Sequence, residues 1–408
     1  MDTGLNDLTT GRDDALYPRA AEPASAPQPA SRGMQLVQWI VGGIGGFALV
    51  AGLDSFADDV SLPLLAAMLA LAIAMLWLQV LVHEAGHALA GVLVGRRLVA
   101  AGIGPLRLER GVGGWMVRWG GNVRGLSGFA VLLPPDRATE SRRNVATFIL
   151  GGPLANLLCA AVALLVLALA PPLDVTASVA LAGTVFGGGL LGLINLVPWQ
   201  NQGWHTDGYN LRELWRDTPA WRMSCAQACV VAMSMAGVRP RDWPADQLTV
   251  PDCVPTQMAA AMHVLRMGHA LDRDDQAAAG ATARALADAY PGAADGSRQG
   301  IAATLASYAA RTRDADLLAA WRPLCEGGLL DLGPYRLWLD AEAAALAGDA
   351  VAARAVSARA REAMPRIHDR AGVLVMGEYL DELDARLVEV CPVVHGVPQL
   401  AVDEHGPR

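Results

Sequence analysis

Four long stretches without a charged side chain occupy much of the first half of the sequence. Residues 33–53, 61–82, 144–173 and 175–206 contain no Asp, Glu, Lys or Arg. Each stretch reaches the roughly 20 apolar residues that an α-helix needs to cross the hydrocarbon core of a bilayer. The sequence therefore predicts a polytopic α-helical membrane protein with about four spans. The predicted spans are residues 34–53, 62–95, 144–170 and 176–200.

The distribution of arginine predicts how these spans cross the membrane. Residues 96–143 contain nine arginines and three acidic residues, whereas the connections at residues 54–61 and 171–175 contain no basic residue. Cytoplasmic loops of membrane proteins are enriched in basic residues, so we expect the arginine-rich segment in the cytoplasm. Four spans then place the N-terminus and the C-terminus on the cytoplasmic side, and we expect the protein in a bacterial inner membrane.

The arginine-rich segment is also rich in glycine and contains the short apolar runs WMVRW and FAVLL. These runs predict two to four β-strands, which form a small β element at the cytoplasmic face of the membrane. Residues 211–255 are expected to form an amphipathic helix and a linker. Residues 220–238 are apolar enough for a fifth span, but Arg222 and Gln227 favour a helix that lies on the membrane surface.

The C-terminal half has a different composition. Residues 256–390 are rich in alanine, and short acidic turns recur at intervals of about 35 to 40 residues. This pattern is typical of paired helices and predicts a soluble all-α domain, either a tetratricopeptide-like solenoid or a plain helical bundle. We expect this domain to bind a protein partner. The polar, proline-rich residues 1–33 predict a disordered tail, and residues 391–408 form a second tail.

Charge and cysteine content add little to this classification. The net charge of −8 averages over unlike regions, and no nucleic-acid partner is expected. The six cysteines form no Cys-x-x-Cys pair, which fits a reducing compartment for the soluble part.

The second apolar stretch ends in the motif His-Glu-Ala-Gly-His at residues 83–87. Residues i and i+4 lie on one face of a helix, so His83 and His87 can direct ring nitrogens at one metal ion while Glu84 falls beside it. Zinc hydrolases use this arrangement, with the glutamate as the proton acceptor. The alternative is a membrane helix with two hydrogen-bonded histidines and a glutamate that reaches the interface. Ionisable groups inside a span are costly and usually functional, which favours the metal site.

A third metal ligand is expected on the same side of the membrane. Asp207 follows the cytoplasmic end of the fourth predicted span, and Gly208 permits a sharp turn there. His205 is a rival ligand two residues earlier. The turn-like Thr-Asp-Gly sequence favours Asp207 as the ligand.

Three motifs, in this order, resemble the signature elements of the site-two-protease family of intramembrane zinc metalloproteases. They are HEAGH at residues 83–87, GGPLANLL at residues 151–158 and NLVP…TDG at residues 195–208. The resemblance covers about residues 60–210. One departure is the segment between Pro198 and Asp207, which is longer than in the commonest family pattern.

The resemblance implies a three-helix catalytic core that hydrolyses membrane-spanning or membrane-tethered substrates near the cytoplasmic side. It implies that Zn2+ is held by His83, His87 and Asp207, and that Glu84 is the general base. A regulatory membrane protein such as an anti-sigma factor is an expected substrate. Asn156 and Asn195 match polar positions of the family and are expected to hydrogen-bond the substrate backbone or the developing oxyanion.

Two other functions are compatible with parts of the sequence. The chain could be a catalytically inert adaptor that is anchored in the membrane and binds a cytoplasmic partner through its helical repeats. It could also be a metal transporter that uses the same ligands, although a transporter would be expected to carry several carboxylates within its spans.

Overall fold

Helices dominate the computed structural model, which describes residues 13–20, 62–120, 128–134, 141–201, 204–328 and 330–390. Within these ranges the chain forms twelve α-helices, one four-stranded sheet and one two-stranded sheet. The prediction of a mostly α-helical protein with a small β element is confirmed. The first predicted span, residues 34–53, and the predicted tail at residues 391–408 lie outside the described residues.

Three helices of the described chain are long and apolar enough to cross a membrane, and they coincide with the last three predicted spans. These helices are α1 (Leu62–Leu93), α2 (Arg142–Leu169) and α3 (Val175–Leu196). The side chain of Ser141 caps α2 by accepting from the backbone N–H of Asn144, and Asp174 caps α3 in the same way.

Glycine lets α1 and α2 approach until their backbones touch. A Cβ atom added to Gly86 would lie 2.4 Å from the carbonyl oxygen of Gly151, and one added to Gly151 would lie 2.5 Å from that of Gly86. Small residues at such crossings are typical of helix pairs in membranes, where close packing replaces the hydrophobic effect as the source of association. This crossing brings the histidine motif of α1 against α2.

The residues between α1 and α2 form an antiparallel sheet with the strand order β3-β2-β1-β4. Its strands are β1 (Arg97–Ile103), β2 (Leu106–Gly111), β3 (Gly114–Trp119) and β4 (Gly128–Leu133). The first and last strands pair from Arg97 opposite Leu133 to Ile103 opposite Gly128, with an irregularity between Leu98 and Ala100. β4 is therefore an edge strand, and its first residue lies at the far end of the sheet from Arg97.

A two-stranded hairpin and two helices follow α3. The strands are β5 (Gln200–Asn201) and β6 (Trp204–His205), and the helices are α4 (Asp207–Arg216) and α5 (Pro219–Met235). The buried side chains of Met223 and Val230 belong to a cluster that includes Trp243, so α5 is packed into the protein. It is not among the span-length helices of the described chain.

The C-terminal part is entirely helical in its described residues. Its helices are α6 (Thr256–Asp272), α7 (Gln276–Ala289), α8 (Asp295–Thr312), α9 (Ala315–Trp321), α10 (Gly333–Leu346), α11 (Ala350–Ala363) and α12 (Arg370–Val390). One large cluster of buried alanine and leucine side chains runs through most of them. We call residues 256–390 the helical domain.

The three acidic turns of the sequence are helix caps. Each turn places one residue at positive φ and then an aspartate whose side chain accepts from the backbone N–H three residues later. The capping residues are Asp275, Asp314 and Asp349. The residues at positive φ are Asp274, Arg313 and Gly348. The repeat in the sequence is thus a repeat of helical hairpins, while the tetratricopeptide-like assignment stays a prediction.

Part of the N-terminal tail is folded against the helical domain. Residues 13–20 include a 3-10 turn, Asp14–Leu16, and Leu16 packs against the main hydrophobic cluster. The indole N–H of Trp321 donates to the carbonyl oxygen of Leu16 at 2.8 Å. The prediction of a disordered tail is therefore wrong for residues 13–20. The polar composition favoured disorder. However, Leu16 and Tyr17 are apolar and pack against the hydrophobic cluster of the helical domain.

A buried carboxylate joins the four-stranded sheet to the helical domain. Glu109 of β2 has no exposed side-chain surface and accepts hydrogen bonds from Arg118, His368 and the backbone N–H of Asp331. Burial raises the pKa of Glu109, but the bonds from His368 and Arg118 lower it further, so the pKa lies below the ordinary value of 4.5. The charged form is therefore the one that holds the sheet and the domain together.

We expect Glu109→Gln to loosen this junction. The backbone N–H groups of Val112 and Gly113 donate to the carbonyl oxygens of Ile367 and Pro365, so their hydrogen exchange reports whether the β2–β3 turn stays docked. Loss of charged hydrogen bonds in a buried site costs on the order of 2–3 kcal/mol, which predicts roughly 30- to 150-fold faster exchange of the two amides.

The matched control is Glu362→Gln, which removes an exposed carboxylate from α11 and should leave the exchange rates unchanged. Because the folded pKa of Glu109 lies below 4.5, its contribution is fully present above that pH and is lost as the pH falls through the folded pKa. Equal exchange in Glu109→Gln and the native chain at neutral pH would show that the charge does not hold the junction.

Candidate metal centre

His83 and His87 lie one turn apart on α1 and face the same side of the helix. Their Nε2 atoms are 3.2 Å apart, and the two rings meet edge to face with centroids 4.7 Å apart. Both side chains are almost fully buried, with exposed fractions of 11% and 10%. The i, i+4 spacing therefore brings both imidazoles to one point.

Asp207 reaches the same point from a different part of the chain. Its Oδ2 atom lies 3.1 Å from Nε2 of His83, and its Oδ1 atom lies 3.3 Å from Nε2 of His87. These three residues form a group that could hold a metal ion, because one ligand atom of each lies within 4.8 Å of the others. The structure thus brings together the three residues that the sequence predicted as ligands.

The start of α4 fixes the position of Asp207. The hydroxyl group of Thr206 caps α4 and donates to the carbonyl oxygen of Val197, just past the end of α3, at 2.7 Å. Gly208 lies against the same helix end, where an added Cβ atom would be 2.1 Å from the carbonyl oxygen of Leu196. The predicted sharp turn is therefore a close contact between α3 and the first turn of α4.

The remaining ring nitrogens are held by carbonyl oxygens. Nδ1 of His83 is 2.7 Å from Oδ1 of Asn156, and Nδ1 of His87 is 2.9 Å from the backbone oxygen of Phe148. Since these oxygens only accept, each Nδ1 carries a proton, and the neutral form of such an imidazole presents its lone pair at Nε2. Outer hydrogen bonds of this kind orient histidine ligands in metal sites.

The Nε2 atoms of both histidines face the carboxylate of Asp207. Burial raises the pKa of Asp207, but the two neighbouring imidazoles lower it further, to below its ordinary range, so the carboxylate is negatively charged. Two ring nitrogens and a carboxylate at 3.1 to 3.3 Å need a metal ion or a proton among them. The donor set itself therefore favours a bound cation.

Asn156 lies behind His83. It is fully buried, and its amide nitrogen donates to the backbone oxygen of Gln79 at 2.7 Å and to Oε1 of the same residue at 3.0 Å. Both ends of its amide are thus used inside the protein, which differs from the predicted contact with substrate. Gln79 was missed by the sequence analysis, although its position one turn before His83 on an apolar helix was a usable signal.

A cavity of about 470 Å³ opens beside the ligand group, and Glu84 lines it together with the two histidines and Asp207. Glu84 packs against the first residue of β4, since a Cβ atom added to Gly128 would lie 2.8 Å from Cγ and 3.0 Å from Oε1 of Glu84. The role of Gly128 was not predictable, because no local pattern links β4 to α1.

Asn195 and His205 also line the cavity. The amide nitrogen of Asn195 donates to the backbone oxygen of Leu191 at 3.0 Å, and its second N–H remains for another acceptor. The ring of His205 stacks on Tyr209 with centroids 4.3 Å apart. It is not part of the ligand group among the described residues, so the rival assignment of His205 as third ligand is not favoured.

Gly152 of α2 explains how the helix backbone can approach the site so closely. An added Cβ atom would lie 2.4 Å from Nε2 of His87 and 2.9 Å from Cε1 of His83. Any side chain at this position would push the imidazoles apart. The glycine pair of the GGPLANLL motif therefore serves both the helix crossing and the ligand group.

Comparisons of the chain with protein-family models, with curated proteins and with solved structures gave no match. The function of the site therefore has to be inferred from its geometry and from the motifs of the sequence.

We expect a graded loss of metal when the site is altered. His83→Ala and Asp207→Ala should abolish binding, because each removes one of three ligands. Asn156→Leu should retain the ligands but weaken affinity roughly 10- to 100-fold, as expected for the loss of an orienting hydrogen bond. His205→Ala is the control and should bind as the native chain does.

The measurement is the metal content of the purified, zinc-treated protein, followed by competition with a chelator. The assignment of Asp207 would be overturned if Asp207→Ala kept its metal while His205→Ala lost it.

Proposed function

We propose that the protein is an intramembrane zinc metalloprotease that hydrolyses peptide bonds of membrane-spanning or membrane-tethered proteins near the cytoplasmic side. One observation carries the proposal: the ligand atoms of His83, His87 and Asp207 meet in a cavity that also contains Glu84. The ordered motifs that resemble the site-two-protease family support the same reaction.

The donor set fits zinc. Two ligand atoms that each lie about 2.05 Å from a tetrahedral ion are roughly 3.3 Å apart, and the Nε2 atoms of His83 and His87 are 3.2 Å apart. Each of these nitrogens faces a different oxygen of the Asp207 carboxylate, at 3.1 and 3.3 Å. Two imidazoles and one carboxylate are also the ligands of known catalytic zinc sites, whereas calcium and magnesium prefer oxygen ligands alone. His83, His87 and Asp207 are thus the residues that would hold Zn2+.

When bound, zinc supplies an open coordination position at which water loses a proton near neutral pH. Glu84 accepts a proton from the attacking water and delivers it to the leaving nitrogen of the cleaved peptide bond. General acid–base catalysis of this kind contributes about 100- to 10,000-fold to the rate. The carboxylate of Glu84 lies against Gly128 at the wall of the cavity.

The edge strand β4 offers a place for the substrate. Gly128, Phe129 and Ala130 line the cavity, and β4 lies at the end of the sheet. A substrate segment that has unwound from its helix can pair with such an edge and present an extended backbone to the site. The second N–H of Asn195 is available to the substrate carbonyl oxygen, where it would stabilise the developing negative charge.

A location in a membrane with both termini in the cytoplasm is part of the proposal. Residues 13–20 contact the helical domain, so both lie on the same side of any membrane. That contact requires an even number of crossings between them. Three candidate spans are present in the described chain, and the predicted span at residues 34–53 supplies the fourth.

Fusions to each end of the chain test this topology in bacterial cells. We expect alkaline phosphatase to be inactive, and green fluorescent protein to be fluorescent, at the N-terminus and at the C-terminus, because both ends should remain in the cytoplasm. Opposite results at the two ends would contradict the arrangement with four crossings.

The experiment that tests the proposed activity is Glu84→Gln, which keeps the shape of the side chain and removes the proton acceptor. We expect native zinc content and a turnover that is lower by about 100- to 10,000-fold. Membrane proteins that accumulate uncut in cells with Glu84→Gln, but not with the native chain, identify substrates for a reconstituted assay in proteoliposomes.

Glu362→Gln is the matched control and should cleave at the native rate, because Glu362 is exposed on the helical domain. Identical membrane proteomes in cells with the native chain and with Glu84→Gln would contradict the proposed protease activity. The alternative would then be an inert membrane-anchored adaptor that binds its partner through the helical domain.

A further inference from the structure

The helical domain carries a small binding surface for residues 13–20. Arg284 and Asp288 of α7 and Trp321 at the end of α9 contact this segment, and we call these three residues the tail site. Leu16 and Tyr17 pack against the main hydrophobic cluster beside it. The segment therefore uses both apolar and polar groups, as a bound peptide does.

Trp321 is the residue that indicates a peptide ligand. Its side chain is fully buried, and the ring of Tyr290 meets it edge to face at 5.0 Å. The indole N–H donates to the backbone oxygen of Leu16 at 2.8 Å, an acceptor that does not belong to the helical domain. With the segment in place, that oxygen is the partner that the buried donor requires. The domain thus presents a donor that a backbone carbonyl from elsewhere in the chain satisfies.

Charge at the two ends of the segment fixes its direction. Asp13 pairs with Arg284 at 2.9 Å, and Arg19 pairs with Asp288 at 3.2 Å. Both pairs are largely exposed and add little affinity. The two pairs nevertheless specify the direction of the peptide. In the reversed direction its arginine would lie near Arg284 and its aspartate near Asp288, which places like charges together.

We propose that the tail site is a peptide-binding site that residues 13–20 occupy within the chain, and that it accepts a similar short segment of a partner protein in their place. The matching segment would carry an acidic residue, then a Leu-aromatic pair, then a basic residue. This inference does not depend on the proposed protease activity. It identifies the class of partner that the helical domain would recognise.

Because residues 13–20 occupy the tail site, a partner segment has to compete with them for binding. A tethered ligand acts at an effective concentration that reaches the millimolar range for short flexible connections. A partner segment of similar affinity therefore binds only when the tail has left the site, whereas a tighter one displaces it. The tail site is thus accessible or closed according to the state of the N-terminal segment.

The experiment uses the full-length chain in detergent and a fluorescein-labelled peptide with the sequence of residues 13–20, DDALYPRA. The variant Leu16→Asp/Tyr17→Asp replaces two apolar side chains with charged ones. It should therefore remove their packing contacts and free the tail site. We expect the peptide to bind this variant, measured by fluorescence anisotropy, and to bind the native chain at least about tenfold more weakly. A chain that starts after residue 20 serves as a second released form that carries no substitution.

Controls in the released form separate the tail site from general adhesion. Trp321→Phe removes the indole N–H and should weaken peptide binding about 2- to 10-fold, whereas Arg359→Gln removes an exposed arginine elsewhere on the domain and should have no effect. A peptide with aspartate in place of Leu16 and Tyr17 should not bind. Absence of binding to both released forms, or equal binding to the native chain, would overturn the proposal.

Discussion

The structure depends on one constraint: a polar side chain that is buried between apolar helices needs a hydrogen-bond partner inside the protein. Gln79, His83 and His87 lie on one face of α1, and α2 provides Asn156 and a backbone oxygen to receive them. The same hydrogen bonds that pack the two helices also orient the imidazoles. The two Nε2 atoms are not used in these bonds; they face Asp207 and line the cavity.

The sequence predicted the parts of the site that depend on local geometry. The spacing of His83 and His87 placed both on one face of a helix, and the turn after the fourth apolar stretch placed Asp207 nearby. The longer segment before Asp207 contains the paired strands β5 and β6, and Asp207 still reaches both histidines. Gly128 could not have been found, because its contact with Glu84 joins distant segments without a shared periodicity.

At the N-terminus, amino-acid composition alone predicted disorder, whereas contacts with the helical domain order residues 13–20. The polar residues around Leu16 and Tyr17 predicted disorder, yet this pair packs on the helical domain. The indole N–H of Trp321 also donates to the backbone oxygen of Leu16. A short segment can be ordered when its few apolar groups meet a preformed surface. The same contact limits the membrane topology, since it joins two parts of the chain that are separated by every candidate span.

The position of Glu84 favours hydrolysis over the other two functions. An inert adaptor gains nothing from a carboxylate inside an apolar helix, where burial of a charge is costly. A metal transporter needs successive carboxylates along its path, but Glu84 is the one acidic residue within α1, α2 and α3. A single carboxylate, which lies against Gly128 in the cavity of the ligand group, matches the requirement of the proposed reaction, which moves one proton at one place. In that proposal, the edge strand β4 would pair with a substrate segment and keep its backbone extended.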